Sequence, residues 1–109
     1  MSQITKESVK AFKQGSNYSK LNTTVMILED GTRLFILHGN EIARFTPNNE
    51  LGITNAGWPT LLTKTRLNAI MGYKAITQRK FKWYIDGMLW GGEWIQIHPN
   101  GFSFNGREN

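Results

Sequence analysis

The chain has 109 residues with a formal net charge of +5, and 39% of its residues are hydrophobic. This length excludes two domains with separate cores, and the apolar fraction excludes a disordered tail. The absence of cysteine excludes disulfides and thiolate metal sites and fits a reducing compartment. No apolar run is long enough to cross a membrane, and the first residues lack the apolar centre of a signal peptide. We therefore expect a cytoplasmic protein with no membrane partner.

The first half of the chain predicts one helix followed by four short strands. The helix is expected over residues 5–14, with Ser2 or Thr5 as its N-cap and Gly15 at its end. Apolar and β-branched residues predict strands over 23–28, 32–37, 41–46 and 51–54. An Asp-Gly pair between the first two strands is a strong hairpin signal.

An irregular loop then leads into a second predicted helix. This helix is expected to begin near Thr63, whose hydroxyl suits an N-cap, and to end at Gly72. Leu67 and Ile70 lie at helical spacing, together with Met71, and we expect these side chains to face the core.

The last third of the chain is predicted to be β structure. Residues 76–85 are expected to form one alternating strand. One face of this strand would carry Phe81, Trp83 and Ile85, and the other Lys80, Lys82 and Tyr84. Turns at 86–87, 91–92 and 99–101 separate three further strands, over 88–90, 94–97 and 102–104. Short strands with two short helices predict a single α+β domain over the whole chain, built on a mostly antiparallel sheet.

No constellation of residues predicts catalysis or metal binding. His38 and His98 are far apart in the sequence, and neither a Gly-x-Ser-x-Gly elbow nor a phosphate-binding Gly-x-x-x-x-Gly-Lys is present. The adjacent acids Glu29 and Asp30 belong to a predicted hairpin turn. We therefore predict that the protein is not an enzyme and that it has no catalytic residues, no cofactor and no metal ligands.

The segment between Glu50 and Asp86, called here the acid-free segment, contains no acidic residue. Its cations create a positive field that attracts polyanions or an acidic protein surface. Near its end, cations alternate with rings, as in proteins that bind single-stranded nucleic acid. An edge strand protected by lysines has the same pattern, so this alternative stays open. The candidate nucleic-acid-binding residues are Lys64, Arg66, Lys74, Arg79, Lys80, Lys82 and Tyr84.

Trp58 is a candidate residue for binding a protein. It lies in a loop between Gly57 and Pro59, where its ring can either close the core or stand exposed as an interface anchor. Because few other large side chains are predicted to close this end of the fold, we expect the ring to be buried.

Residues 37–43 read L-H-G-N-E-I-A, residues 55–60 read N-A-G-W-P-T, and residues 63–68 read T-K-T-R-L-N. These segments resemble a family of small, mostly uncharacterised proteins of tailed bacteriophages, which has an L-H-G-N-x-I-A turn and a G-W-x-T segment followed by T-x-x-R-L-N. The resemblance covers roughly residues 8–97. It implies an accessory protein encoded by a phage, with no known enzymatic activity.

Two functions are predicted as alternatives. The first is a small phage accessory protein that binds nucleic acid through the basic and aromatic strand face. The second is a protein-interaction module that inhibits a host factor or a host defence system, with an acidic host protein as its partner. The motif residues themselves are expected to be structural, because Arg66 and Asn68 could hold the loop of Trp58 through hydrogen bonds to its carbonyls.

Overall fold

The computed structural model describes residues 2–98 and 101–104. Helix α1, Gln3–Gln14, begins after Ser2, whose hydroxyl accepts a hydrogen bond from the backbone N–H of Thr5 at 3.1 Å. Gly15 ends this helix in the left-handed conformation, as predicted. Neither helix in the described part of the chain has the length and apolar composition that a bilayer span requires.

Helix α2, Leu61–Met71, begins earlier than predicted and ends at Gly72 as predicted. The predicted N-cap at Thr63 is wrong, because Thr60 occupies that position in an extended conformation. The hydroxyl of Thr60 accepts a hydrogen bond from the backbone N–H of Thr63 at 3.1 Å. Thr63 therefore lies in the first turn of the helix, where it is buried.

The described residues form ten strands, which make two antiparallel sheets. The large sheet has the order β1-β2-β3-β4-β5-β9-β10 and the small sheet the order β6-β7-β8. The strands are β1 Tyr18–Lys20, β2 Thr23–Ile27, β3 Arg33–Leu37, β4 Asn40–Phe45, β5 Leu51–Ile53, β6 Ile76–Arg79, β7 Lys82–Ile85, β8 Met88–Leu89, β9 Ile95–His98 and β10 Gly101–Phe104. The α+β class and the mostly antiparallel pairing are confirmed.

Sequence patterns locate most of these strands. Strand β1 is not predicted, because Tyr-Ser-Lys carries no apolar alternation. The pairing of β5 with β9, in which Leu51 lies opposite Ile97, joins parts of the chain that are distant in sequence. The turn predicted at residues 99–101 lies partly outside the described residues.

One connected core of buried side chains links the helices to both sheets. The ring of Phe12 on α1 lies 5.6 Å from that of Phe35 and 4.8 Å from that of Phe45, measured between centroids. Leu67 and Ile70 of α2 are buried in this core, as predicted. One face of the small sheet also contributes large apolar side chains to this core. The opposite face of that sheet is exposed to solvent.

Candidate nucleic-acid interface

Strands β6 and β7 form a tight hairpin, called here the basic hairpin (residues 76–85). Ile76 lies opposite Ile85, and both are fully buried in the core. At the other end Arg79 lies opposite Lys82, and both side chains are exposed. Because side chains alternate along a strand, the hairpin buries one face and presents the other to solvent.

The exposed face of the basic hairpin combines cations with an aromatic ring. Arg79, Lys82 and Tyr84 point to this side, since each is one or three residues from a buried isoleucine in the same strand. The guanidinium carbon of Arg79 lies 5.0 Å from the centroid of the Tyr84 ring, which is a cation–π contact. Three of the predicted binding residues therefore share one surface.

The prediction of a single strand over residues 76–85 is wrong, because the chain reverses at Lys80 and Phe81. Both residues have positive φ, +51° and +68°, as a two-residue hairpin turn of type I′ requires. Neither residue is glycine or asparagine, so the sequence carries no turn signal here. Phe81 consequently does not share a buried face with Trp83 and Ile85; its side chain is 96% exposed at the hairpin tip.

Two contacts hold the base of the basic hairpin in place. The Asn68 amide on α2 donates to the carbonyl of Ile76 at 2.9 Å and accepts from its N–H at 2.7 Å. The Tyr73 hydroxyl donates to the Asp86 carboxylate, at 2.8 Å to its Oδ1. This hydrogen bond is the main cause that raises the pKa of Tyr73. The predicted role of Asn68 in holding the Trp58 loop is therefore wrong, because both its amide atoms bind the hairpin.

The three remaining candidate lysines lie in different surroundings. Lys64 on α2 borders the hairpin, since its Nζ donates to Oε1 of Gln78 on β6 at 3.3 Å. Lys74 is exposed in the loop before β6, at the end of that strand opposite to the tip. Lys80 is exposed in the tip turn itself. Lys80 thus extends the basic surface at the tip, whereas Lys64 lies on the side of the hairpin that Gln78 shares with Ile76, and Lys74 stands apart from the tip.

Arg66 is only 3% exposed, so its prediction as a nucleic-acid-binding residue is wrong. Its guanidinium donates to the hydroxyls of Thr5 and Thr23, and its Nε has no hydrogen-bond partner among the described residues. Burial lowers the pKa of Arg66 from its ordinary value. These bonds tie α2 to α1 and β2, so Arg66 also does not hold the Trp58 loop.

A helical stripe could have revealed the position of Arg66 in advance. The buried residues of α2 are Thr63, Arg66, Leu67 and Ile70, which follow the i, i+3, i+4, i+7 spacing of a core-facing stripe. Leu67 and Ile70 are predicted to face the core, and the same spacing places Arg66 beside them on that stripe.

Trp58 is 58% exposed, so its expected burial is wrong. Its loop, called here the Trp58 loop (residues 55–59), is held by a backbone hydrogen bond. The N–H of Asn55 donates to the carbonyl of Gly92 at 2.9 Å. Trp83 and Trp90 are buried in the core and close this end of the fold, so the ring of Trp58 is not required there.

A groove of about 480 Å³, called here the hairpin groove, separates the Trp58 loop from the tip of the basic hairpin. Gly57 and Pro59 line one side, and Phe81 and Lys82 line the other. A second cavity, of about 400 Å³, lies against Trp58 and is lined by residues of the motifs at 37–43 and 55–60, including His38 and Thr60. The Trp58 loop therefore lies between two depressions of the surface, and Trp58 itself lines the second.

Among the residues that the structure describes, no group of three or more histidines and carboxylates is placed to hold a metal ion.

Comparison with known proteins identifies the family to which the chain belongs. Neither the curated proteins nor the solved structures contain a significant match to this chain. The family model described as Kyanoviridae Gp96 protein matches residues 1–105. The chain therefore belongs to this family of phage proteins, which agrees with the phage origin that the resemblance implied.

Proposed function

We propose that this phage protein binds nucleic acid through the basic hairpin. The observation that carries the proposal is the gathering of Arg79, Lys80 and Lys82 around the exposed ring of Phe81, with Tyr84 beside them. Cations next to exposed rings provide phosphate contacts and stacking surfaces together, which is how proteins bind nucleic acid without reading its sequence.

The local charge favours a polyanion as the ligand. The hairpin lies inside the acid-free segment, and its nearest acid in sequence, Asp86, lies beyond the base and accepts the Tyr73 hydrogen bond. The tip therefore combines three cations without an acidic neighbour in its own strands. An ordinary edge strand with protective lysines would not need an exposed phenylalanine among them.

Charge reversal at the tip tests this proposal. A labelled single-stranded oligonucleotide is titrated at low salt, and binding is followed by fluorescence anisotropy. Because two phosphate contacts become repulsive, Lys80→Glu with Lys82→Glu should weaken binding by at least about 30-fold. The matched control is Lys6→Glu with Lys10→Glu, two exposed lysines of α1, which should change affinity less than about 3-fold. No binding by the native protein, or equal losses in both variants, would refute the proposal.

A second candidate function, binding a host protein, is favoured by the open face of the large sheet. Met26, Leu34, Arg44 and Gly52 form one row across four strands of this face. Met26 is 43% exposed, and exposed Trp94 packs over Gly52. The Arg44 guanidinium forms an ion pair with Glu41 at 2.7 Å, also on this surface. Apolar side chains with a polar rim are typical of protein interfaces.

Capture from bacterial lysate treated with nuclease separates the two functions. A protein partner that is retained after nuclease treatment, and lost when Met26→Ser and Trp94→Ala are combined, would support the second function. A partner that is lost on nuclease treatment, and also lost with the Lys80 and Lys82 reversals, would be bridged by nucleic acid and would support the first.

A further inference from the structure

The tip of the basic hairpin holds a bulky ring in a backbone conformation that suits glycine. Phe81 has φ +68° as the second residue of a two-residue turn. The next hairpin of the same sheet turns at Asp86 and Gly87, with φ +47° and +84°, and there glycine occupies the equivalent position. The folding of the tip therefore does not call for phenylalanine, since glycine would form the same turn with less strain.

Exposure and positive φ do not mark a binding site by themselves. Leu21, in the turn between β1 and β2, has φ +53° and is 87% exposed. Phe81 differs because its side chain is an aromatic ring, because Lys80 and Lys82 flank it, and because it lines the hairpin groove. A ring in these surroundings can stack on a base while the lysines hold the adjacent phosphates.

A second exposed ring, that of Trp58, lies near the hairpin groove and is not among its lining residues. Gly57 and Pro59, the two neighbours of Trp58 in the chain, line the groove together with Phe81 and Lys82. Trp58 itself is 58% exposed and lines the second cavity instead. A strand that enters the hairpin groove can therefore present a base to Phe81 and a phosphate to Lys82.

We infer that the ligand of this site is unpaired nucleic acid, with a base stacked on Phe81 at the edge of the hairpin groove. The inference rests on the proposed function and deepens it by naming the ligand class. In a duplex the base faces are already stacked on one another, so they cannot cover this ring without unstacking. Unpaired DNA and unpaired RNA both offer free base faces, and the structure assigns the site to this shared chemistry.

The test compares single strands with a duplex of the same sequence. DNA and RNA oligonucleotides are titrated against the native protein and Phe81→Gly, with Leu21→Gly as the matched control. Phe81→Gly should lose about 10-fold in affinity for the single strands and keep its affinity for the duplex, because one stacking contact is removed. Leu21→Gly should bind as the native protein does. The melting temperature of Phe81→Gly should not fall, so that its lost binding cannot be attributed to unfolding.

The possible results are distinguishable. Duplex binding as tight as single-strand binding, or unchanged single-strand affinity in Phe81→Gly, would overturn the inference. If Lys80→Glu with Lys82→Glu still weakened binding in that case, the proposed function would stand and only the inference about unpaired nucleic acid would fall. If no oligonucleotide bound the native protein, both would fall together.

Discussion

Arg66 and the tip of the basic hairpin belong to the same acid-free segment and have opposite surroundings. Arg66 is 3% exposed and binds hydroxyls of α1 and β2, whereas Phe81 is 96% exposed between two lysines. One cation therefore holds the fold together, and the others are available to a ligand. The comparison teaches that a run of basic residues in the sequence is not yet a basic surface, because a helix turns some of its members into the core.

The largest effect is expected outside both regions, at Gly92, whose carbonyl accepts the hydrogen bond that holds the Trp58 loop. A Cβ at this position would lie 2.0 Å from Nδ2 of Asn55, and the backbone has φ +92°. Gly92→Ala should therefore lower the free energy of unfolding by about 3–5 kcal/mol, measured by chemical denaturation. Gly91→Ala is the matched control, because its Cβ would make only an ordinary contact with Glu93 at 3.5 Å. Equal losses from both would contradict the role of Asn55 in fixing the Trp58 loop.

The second-largest effect on the free energy of unfolding is expected at Arg66, which is buried whereas the hairpin tip is exposed. Arg66→Ala should lower the free energy of unfolding by about 2–4 kcal/mol, since it leaves a cavity between the two helices and β2. Arg66→Met should recover at least about 1 kcal/mol of this loss, because the methionine side chain fills the space of the buried arginine stem without burying a charge. Both variants should bind an oligonucleotide as the native protein does, at a temperature where they are folded. Weaker binding by the folded variants would place Arg66 in the interface after all.

Arg79 is the exposed counterpart of Arg66. Arg79→Ala should change the free energy of unfolding by no more than about 0.5 kcal/mol, because its side chain is exposed and its contact is the Tyr84 ring. The same variant should lose oligonucleotide affinity by roughly 5-fold, as expected for one phosphate contact. A loss of stability as large as that of Arg66→Ala would erase the distinction between the two regions.

The smallest effect concerns the base of the hairpin and depends on pH. The Tyr73 hydroxyl donates to Asp86, which raises the pKa of Tyr73 above its unfolded value. The stability from this bond is therefore fully present below the ordinary tyrosine pKa of about 10 and is lost as pH rises through the raised value. Asp86→Asn should lower the pKa of Tyr73 towards its ordinary value, seen by ultraviolet titration of the tyrosines. An unchanged pKa would show that the hydrogen bond is not its cause.

Sequence patterns predicted the parts of this fold that follow from local chemistry. Asp-Gly pairs located two hairpins, at residues 30–31 and 86–87, and Gly15 and Gly72 located the ends of both helices. The turn at Lys80 and Phe81 has no such signal, so the sequence pattern predicts one continuous strand over residues 76–85. The pairing of β5 with β9 depends on packing between distant segments, which no local pattern contains.

The candidate site was predictable only in part, for a related reason. Arg79, Lys82 and Tyr84 share a face in the structure because they alternate with buried residues in their strands. Trp58 lies exposed because Trp83 and Trp90 fill the core instead, and four tryptophans in a sequence do not say which two are buried. Side-chain type indicates what a residue can bind, and only the fold decides whether it is accessible.

The most direct test of the central claim is the salt dependence of oligonucleotide binding. The logarithm of the association constant is measured against the logarithm of salt concentration for the native protein, for Lys80→Gln with Lys82→Gln, and for Lys6→Gln with Lys10→Gln. If the tip lysines contact two phosphates of a single strand, the tip variant should have a slope shallower by about 1.4, because fewer counterions are released. The α1 variant should keep the native slope. An unchanged slope in the tip variant would contradict the claim that the basic hairpin contacts the nucleic-acid backbone.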